Sequence, residues 1–336
     1  MHMADIAVIG AGGWGTALAV MADKYGSRVS LWSPFEEEVT AIRRHDEHKK
    51  LLPGVAVPPS IRLTTDIACA KKADLVVLAV PSFAVRKTAA RLADVIRPGT
   101  IIANAGKGLE DTTLKRFSQV IAEAVPAARV AVLSGPSHAE EVARGVPTTV
   151  VSASEDAATA EEVQERLMNP SFRIYVNQDV TGVELGGALK NVIALAAGVV
   201  DGLDMGDNTK AALMTRGLAE MARLGVALGA HTDTFAGLAG MGDLIVTCGS
   251  MHSRNRRAGI LIGQGIPPED AVRTVGTVEG YLAARAAWSL AQQAGVDMPI
   301  TEQCYRVCYE GQSPKAALYA LMGRPKKHES ETGWMG

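Results

Sequence analysis

A chain that opens on a short apolar run and passes at once into Gly10-Ala-Gly12-Gly-Trp-Gly15 has few ways to fold. The run Ala4-Asp-Ile-Ala-Val-Ile9 is rich in Val and Ile and reads as a strand. Thr16-Ala-Leu-Ala-Val-Met21 reads as a helix that stops near Gly26. Strand, G-x-G-x-x-G and helix, in that order, are the start of a dinucleotide-binding βαβ unit. Gly10 makes the tight turn, Gly12 lets the backbone approach a pyrophosphate, and Gly15 lets helix and strand pack closely. The helix start offers free N–H groups and a partial positive charge to the phosphates. This predicts NAD or NADP as the cofactor.

The second strand, Arg28-Val-Ser-Leu-Trp32, ends in Ser33-Pro34, where an NAD-selective site usually carries Asp or Glu. Ser33-Pro-Phe-Glu36 reads as a capping box, with Pro at the first helical position. Without a carboxylate at the strand end, a 2′-phosphate is not repelled there. Arg28, Arg43 and Arg44 are sources of positive charge that the sequence alone does not place.

Further apolar runs at 74–80, 100–104, 129–133, 147–152 and 172–176 join those at 4–9 and 28–32. Helical stretches separate them, which predicts a doubly wound, mostly parallel sheet over residues 1–180. After residue 182 the β-rich runs stop and Ala, Leu and Met dominate long helical patterns. The fold class expected is therefore an α/β Rossmann-type N-terminal domain, 1–180, and an all-α C-terminal domain, 181–323. A polar tail, 324–336, is read as mobile.

The formal net charge of −2 excludes a strong field selecting nucleic acid or an anionic membrane. Four cysteines at 69, 248, 304 and 308 make no disulfide framework. Cys304 and Cys308 lie one helical turn apart with no ligand set around them, so they read as core thiols and no metal is expected. The N-terminal apolar run is a strand rather than a secretory core. The longest apolar stretch, 192–200, falls short of the about 20 residues that a membrane span needs. A cytoplasmic enzyme is expected.

The chemistry begins with Lys190. Gly182-Val-Glu-Leu-Gly-Gly-Ala-Leu-Lys-Asn191 runs straight into Val192-Ile-Ala-Leu-Ala-Ala-Gly-Val-Val200. On one helix Lys190 shares its face with Gly186, Gly187, Ile193, Ala194 and Ala197, none of them charged. Either the lysine snorkels its stem to water, or burial lowers its pKa and suits it to acid/base catalysis. Asp243, after the glycine-rich bend Ala236-Gly-Leu-Ala-Gly-Met-Gly242, is read as a partly buried carboxylate in want of a cation, and Lys190 can be that cation.

Two loops leave the carboxyl ends of strands, where open α/β sheets bind ligands. Ala105-Gly-Lys107-Gly-Leu-Glu110 puts a cation on bare backbone, suited to an anion or a carbonyl oxygen, or else to plain solvent. Ser134-Gly135-Pro-Ser137-His138 opens a helix, with Ser137 readable as its N-cap. His138 is passed over as a general base because Lys190 is better placed. Ser253-Arg254-Asn255 groups a hydroxyl, a guanidinium fork and an amide, a set that suits a phosphate; the alternative is a solvated helix start.

Taken in order, these motifs resemble one family: the NAD(P)-dependent glycerol-3-phosphate dehydrogenases of the bacterial soluble type. The resemblance runs from Gly10-Ala-Gly-Gly-Trp-Gly-Thr-Ala17 through Leu52-Pro-Gly54, Lys107-Gly-Leu-Glu110, Ser134-Gly-Pro-Ser137, the Gly182–Asn191 segment, Gly206-Asp-Asn-Thr-Lys210 and Ser253-Arg-Asn255. It ends at Val307-Cys-Tyr-Glu-Gly311. It implies reversible reduction of dihydroxyacetone phosphate to sn-glycerol 3-phosphate, feeding glycerophospholipid synthesis, with hydride from nicotinamide C4 and Lys190 as the general acid/base.

The resemblance also implies site residues. Lys107 contacts cofactor and substrate, while the residues themselves suggest that Asp243 orients Lys190. Gly135, Ser137, Asp243, Ser253, Arg254 and Asn255 fall on substrate positions. Gly13, Trp14, Ala139, Val278 and Glu279, with Arg254, fall on cofactor positions. A homodimer is implied too. The chain departs from the family at Pro34, where members carry a basic residue, and at Leu51, where an aromatic precedes Leu-Pro-Gly. It departs again at His138, where an aromatic follows Ser-Gly-Pro-Ser. The first two leave the choice between NADH and NADPH open. Two rivals stand beside this reading: a dehydrogenase of a β-hydroxy acid or sugar acid, and a non-catalytic NAD(P)-sensing regulator.

Overall fold

Eight strands form one sheet: β1 (Asp5–Ile9), β2 (Arg28–Trp32), β3 (Arg62–Thr64), β4 (Leu75–Leu78), β5 (Ile101–Asn104), β6 (Arg129–Ser134), β7 (Thr148–Ala153) and β8 (Phe172–Asn177). Their order across it is β3-β2-β1-β4-β5-β6-β7-β8. Pairing is parallel from β3 to β6; β7 runs antiparallel to β6, and β8 is parallel to β7. Chain order reverses beside β1, which pairs with both β2 and β4, so the ligand crevice of a doubly wound sheet belongs at that point. The unbroken Leu-Val-Val-Leu of β4 is buried throughout, as a parallel strand covered on both faces requires.

The computed structural model describes residues 4–326, 328 and 329. Residues 1–3, and from the tail Lys327 and residues 330–336, lie outside the described residues, and with them much of the segment read as mobile. The tail's described part is tied at Arg324, whose guanidinium meets Asp297 at 2.6 Å.

Seven strands lie where the sequence places them. The eighth, β3, was not expected: its three residues, Arg-Leu-Thr, are too few to show a period. It changes the next loop. Ser33 N–H donates to Thr64 of β3 at 3.1 Å, which holds Ser33 as a continuation of β2. The expected capping box is therefore not formed. The helix runs Glu36–His45 with Phe35 at its N-cap, and the Ser33 hydroxyl accepts from Phe35 N–H and donates to Glu38.

The chain divides into two units, Met1–Gly106 with Phe117–Val180, and Lys107–Arg116 with Thr181–Gly336. The segment Lys107–Arg116 thus belongs with the helices rather than with the sheet unit in which a continuous 1–180 domain places it. The reason is packing. Leu109 is buried in the helical core, and Arg116 meets the buried carboxylate of Glu184 at 2.8 Å.

The helical unit is built on Val180–Gly202. This helix is long and apolar enough to cross a membrane by length and composition, more so than the stretch 192–200 suggests, yet 94% of its most apolar window is buried in protein. The helix Arg254–Gly263 packs against it through facing glycines. A Cβ on Gly198 would lie 2.1 Å from Arg256 O, and one on Gly259 would lie 2.1 Å from Leu195 O. Such close backbone approach admits only glycine, and it fixes the start of Arg254–Gly263 against the helix that carries Lys190. Cys304 and Cys308 are buried free thiols, as read from the sequence, and Cys248 is a third.

Candidate active site

In the sheet unit the glycine turn has the form its spacing predicts. Gly10 N–H donates to Trp32 O at 2.9 Å, at the end of both β1 and β2. Gly10 has φ +120°, and a Cβ there would lie 2.5 Å from Ala79 O. A Cβ on Gly15 would lie 1.9 Å from Gly10 O, whereas one on Gly12 would meet nothing within 4 Å. Gly12 thus faces open space, in front of a helix, Gly13–Lys24, whose start has no side-chain cap. Bare backbone, open space and uncapped N–H groups fit a pyrophosphate. Trp14 Nε1 donates to Ala105 O at 3.1 Å, which ties the turn to the end of β5.

Gly15→Ala is expected to weaken NADH binding by at least about tenfold and to cost about 1–3 kcal/mol of stability, since the new methyl overlaps Gly10 O. Nucleotide titration and urea unfolding of the variant check this. Wild-type values in both would contradict the packing of turn on helix.

Two large aromatic side chains escaped the sequence reading. Phe35, beyond β2, is 66% exposed and Phe83, beyond β4, is 78% exposed. An aromatic within five residues of a strand's carboxyl end, in a dinucleotide-binding sheet, is the signal that would have found them. On the β6 side of this unit, Ser137 is not the N-cap expected of it. His138 takes that position for the helix Ala139–Arg144, and the Ser137 hydroxyl donates to Gly135 O at 2.8 Å. Gly135, at φ +132°, packs against Val150, where a Cβ would come within 3.0 Å of its Cα.

In the helical unit three of the residues singled out converge. Lys190 Nζ lies 2.5 Å from Asp243 Oδ1 and 2.7 Å from Thr247 Oγ1. Lys107 Nζ lies 2.7 Å from Asp243 Oδ2. One carboxylate therefore holds two ammoniums, one on each oxygen. Asp243 is fully buried rather than partly so, at 1% exposure. The Lys107 side chain is more open than that of Lys190, 17% against 6%. Thr247 was not foreseen, although it stands one helical turn after Asp243 and its hydroxyl bonds Asp243 O at 2.5 Å.

The electrostatics follow from burial. Desolvation pushes the Lys190 ammonium down to about 8, against the pull of Asp243 and with the help of Lys107. Burial alone would raise the Asp243 carboxyl, but Lys107 and Lys190 together hold it below its ordinary value. The result is an ionised carboxylate beside a lysine that exchanges its proton near neutral pH.

The phosphate candidates sit at the start of Arg254–Gly263. The Ser253 hydroxyl caps this helix, accepting from Arg256 N–H at 3.2 Å. Arg254 is exposed in the first turn. Asn255 donates to Asn191 Oδ1 at 2.9 Å and accepts from Gly280 N–H at 2.8 Å, while Asn191 donates to Gly187 O at 3.2 Å. Much of the Asn255 amide thus locks three helices together, and one N–H remains for a ligand. Asn191, next to Lys190, is a further residue the sequence reading missed. Val278 is buried at the N-cap of Glu279–Ala294. Asp201 bridges Lys210 at 2.9 Å and Arg256 at 2.7 Å. Burial pushes the Cys248 thiol up to about 12, while Lys190, Lys210 and Arg256 pull against it.

Comparison with known proteins matches both parts of the chain. Residues 5–160 match the family model described as NAD-dependent glycerol-3-phosphate dehydrogenase N-terminus, and residues 179–319 the one described as its C-terminus. A protein of Moorella thermoacetica named glycerol-3-phosphate dehydrogenase (NAD(P)+) is 58% identical over 331 residues, with 98% of each chain covered. One of the same name from Desulfitobacterium hafniense is 54% identical over 330 residues, covering 98% of this chain and 94% of that protein. The crystal structure of a glycerol-3-phosphate dehydrogenase from Coxiella burnetii superposes with a TM-score of 0.92 at 37% identity, over 96% of this chain and 99% of that one.

Proposed function

This chain belongs to the NAD-dependent glycerol-3-phosphate dehydrogenase family, and we propose that it reversibly reduces dihydroxyacetone phosphate to sn-glycerol 3-phosphate with NADH or NADPH. The observation that carries this reading is the buried Lys190–Asp243–Lys107 cluster in a chain that also bears a dinucleotide turn. When bound, the reduced nicotinamide supplies the hydride. Lys190, protonated, donates to the carbonyl oxygen as negative charge grows there. Lys107 stabilises that charge electrostatically. Asp243 orients both ammoniums, and Thr247 fixes Lys190 Nζ through its second contact.

Arg254, Ser253 and the remaining Asn255 N–H hold the phosphate, where a helix N-terminus and a guanidinium fork both favour an anion. Binding energy from that remote group positions the reacting carbon. The family resemblance adds Gly135 and Ser137 toward the substrate, and Gly13, Trp14, Ala139, Val278 and Glu279 toward the cofactor. In this reading the sheet unit takes the dinucleotide and the helical unit the substrate. The homodimer and the supply of glycerol phosphate to phospholipid synthesis rest on the same resemblance, and the cytoplasmic location on the composition.

The test is loss of reduced-nicotinamide absorbance dependent on dihydroxyacetone phosphate, followed across pH. Ketone reduction needs Lys190 charged, so kcat/KM is expected to fall above about pH 8, the value to which burial brings this lysine. The reverse oxidation needs it neutral and is expected to rise through the same range. Cofactor binding without turnover would move the reading to the sensor or to another phosphorylated or carboxylated substrate.

A further inference from the structure

Which nucleotide the turn prefers is decided at the end of β2, and there the strand itself supplies no carboxylate. Gly10 N–H donates to Trp32 O, so Ser33 is the residue beside the glycine turn on the β2 side. The Ser33 hydroxyl donates to Glu38 Oε2, and Glu38 Oε1 lies 3.2 Å from His48 Nε2. His48 is buried, and its carbonyl accepts the N–H groups of Leu51 and Leu52. Leu51 O in turn lies against Gly13, where a Cβ would come within 2.5 Å. The Ser33–Glu38–His48 cluster therefore spans from the β2 end to the loop that closes on the glycine turn, along the rim where the adenosine ribose of a dinucleotide lies.

Of the arginines weighed for a 2′-phosphate, none is in the first turn of the helix after β2; the cations near that end are Lys50, beside Glu38, and Arg91, whose guanidinium lies 5.0 Å from the Trp32 ring centroid. Arg28 is at the opposite end of β2 and is held by Asp5 through both carboxylate oxygens. Arg43 and Arg44 are in the last turn of Glu36–His45, and the Arg43 guanidinium donates to Leu63 O at 3.2 Å. The first turn of that helix carries Glu36, Glu37 and Glu38 instead. Burial raises the Glu38 carboxyl, but hydrogen bonds from His48 and Ser33, with Lys50 nearby, bring it below its ordinary value. It is an anion at neutral pH, and its side chain stays 25% exposed.

We propose that Glu38, presented at the β2 end by Ser33 and His48, is the carboxylate that accepts from the ribose 2′-hydroxyl and rejects a 2′-phosphate, making the enzyme selective for NADH over NADPH. This rests on the dinucleotide site assigned above. The carboxylate that many such folds carry on the strand is here delivered from the first turn of the next helix.

Direct titration of the protein with each nucleotide, without substrate, tests this, followed by the ratio of kcat/KM for NADH and NADPH. The wild type is expected to bind NADH about tenfold or more tighter, the effect of one charge a few ångströms from a dianion near a protein surface. Glu38→Gln is expected to narrow both ratios by about the same factor. Glu37→Gln, which removes an exposed charge of the same sign one residue away, is expected to leave them unchanged. Wild-type preference for NADPH, or equal shifts in the two variants, would overturn the proposal. Binding of neither nucleotide would overturn the cofactor site itself, and the selectivity with it.

Discussion

Lys190→Ala is expected to lower kcat for ketone reduction by about 10²–10⁴-fold, the range for losing a positioned general acid, while NADH still binds at the glycine turn. Removing Lys190 does not strand Asp243, which keeps Lys107 at 2.7 Å on its other oxygen. The variant therefore loses the proton donor without leaving an unpaired buried anion, and its fold is expected to survive. Lys190→Met, closer in volume to lysine, separates loss of the amine from loss of packing. Steady-state kinetics and nucleotide titration on both variants decide the matter. Near-normal turnover in either would remove Lys190 from its role, and Lys107 would become the next proton donor to test.

Lys190 was legible in the sequence because its oddity is local: a lysine in an apolar helical run needs no distant partner to be noticed. The glycine turn was legible for the same reason, since strand, glycines and helix are contiguous. What escaped depends on contacts far apart in the chain. The edge strand β3 is held by pairing with β2, about thirty residues earlier, and carries almost no pattern of its own. Its pairing then draws Ser33 out of the helix cap that its local sequence describes. Lys107–Arg116 follows a sheet strand, so sequence order assigns it to the sheet, but the partners that hold it, among them Glu184, come much later. Glu38 and Thr247 are ordinary residues in ordinary helical turns. They acquire meaning only when Ser33 and Lys190 come to lie against them. The Asp243 partnership was readable as chemistry, a carboxylate wanting a cation. That it holds two cations at once was not.

Asp243→Asn is expected to be costly in both stability and rate. The substitution keeps the shape and removes the charge, leaving two ammoniums side by side with no anion between them. Breaking a buried pair from one side costs about 3–5 kcal/mol when the stranded charge cannot escape. Here part of that is relieved, because Lys107 is the more exposed partner and can turn to water, and Lys190 can shed its proton. The second escape gives the effect its pH signature. The native Lys190 ammonium already lies at about 8, below the 10.5 of an ordinary lysine, and loss of Asp243 lowers it further. A group whose native pKa is depressed in this way binds fewer protons folded than unfolded, so stability rises with pH across the gap. The penalty is therefore present in full below the variant's native pKa. Relative to wild type it shrinks as pH rises toward about 8, beyond which the lysine acts alike in both. Urea unfolding at pH 6 and pH 8.5 reads this directly, with the larger deficit at pH 6. Ketone reduction should fall most steeply at the higher pH, where the variant's Lys190 has no proton to give. A stability deficit that is flat or grows with pH would mean that the asparagine finds other partners and that Asp243 is not what keeps Lys190 charged.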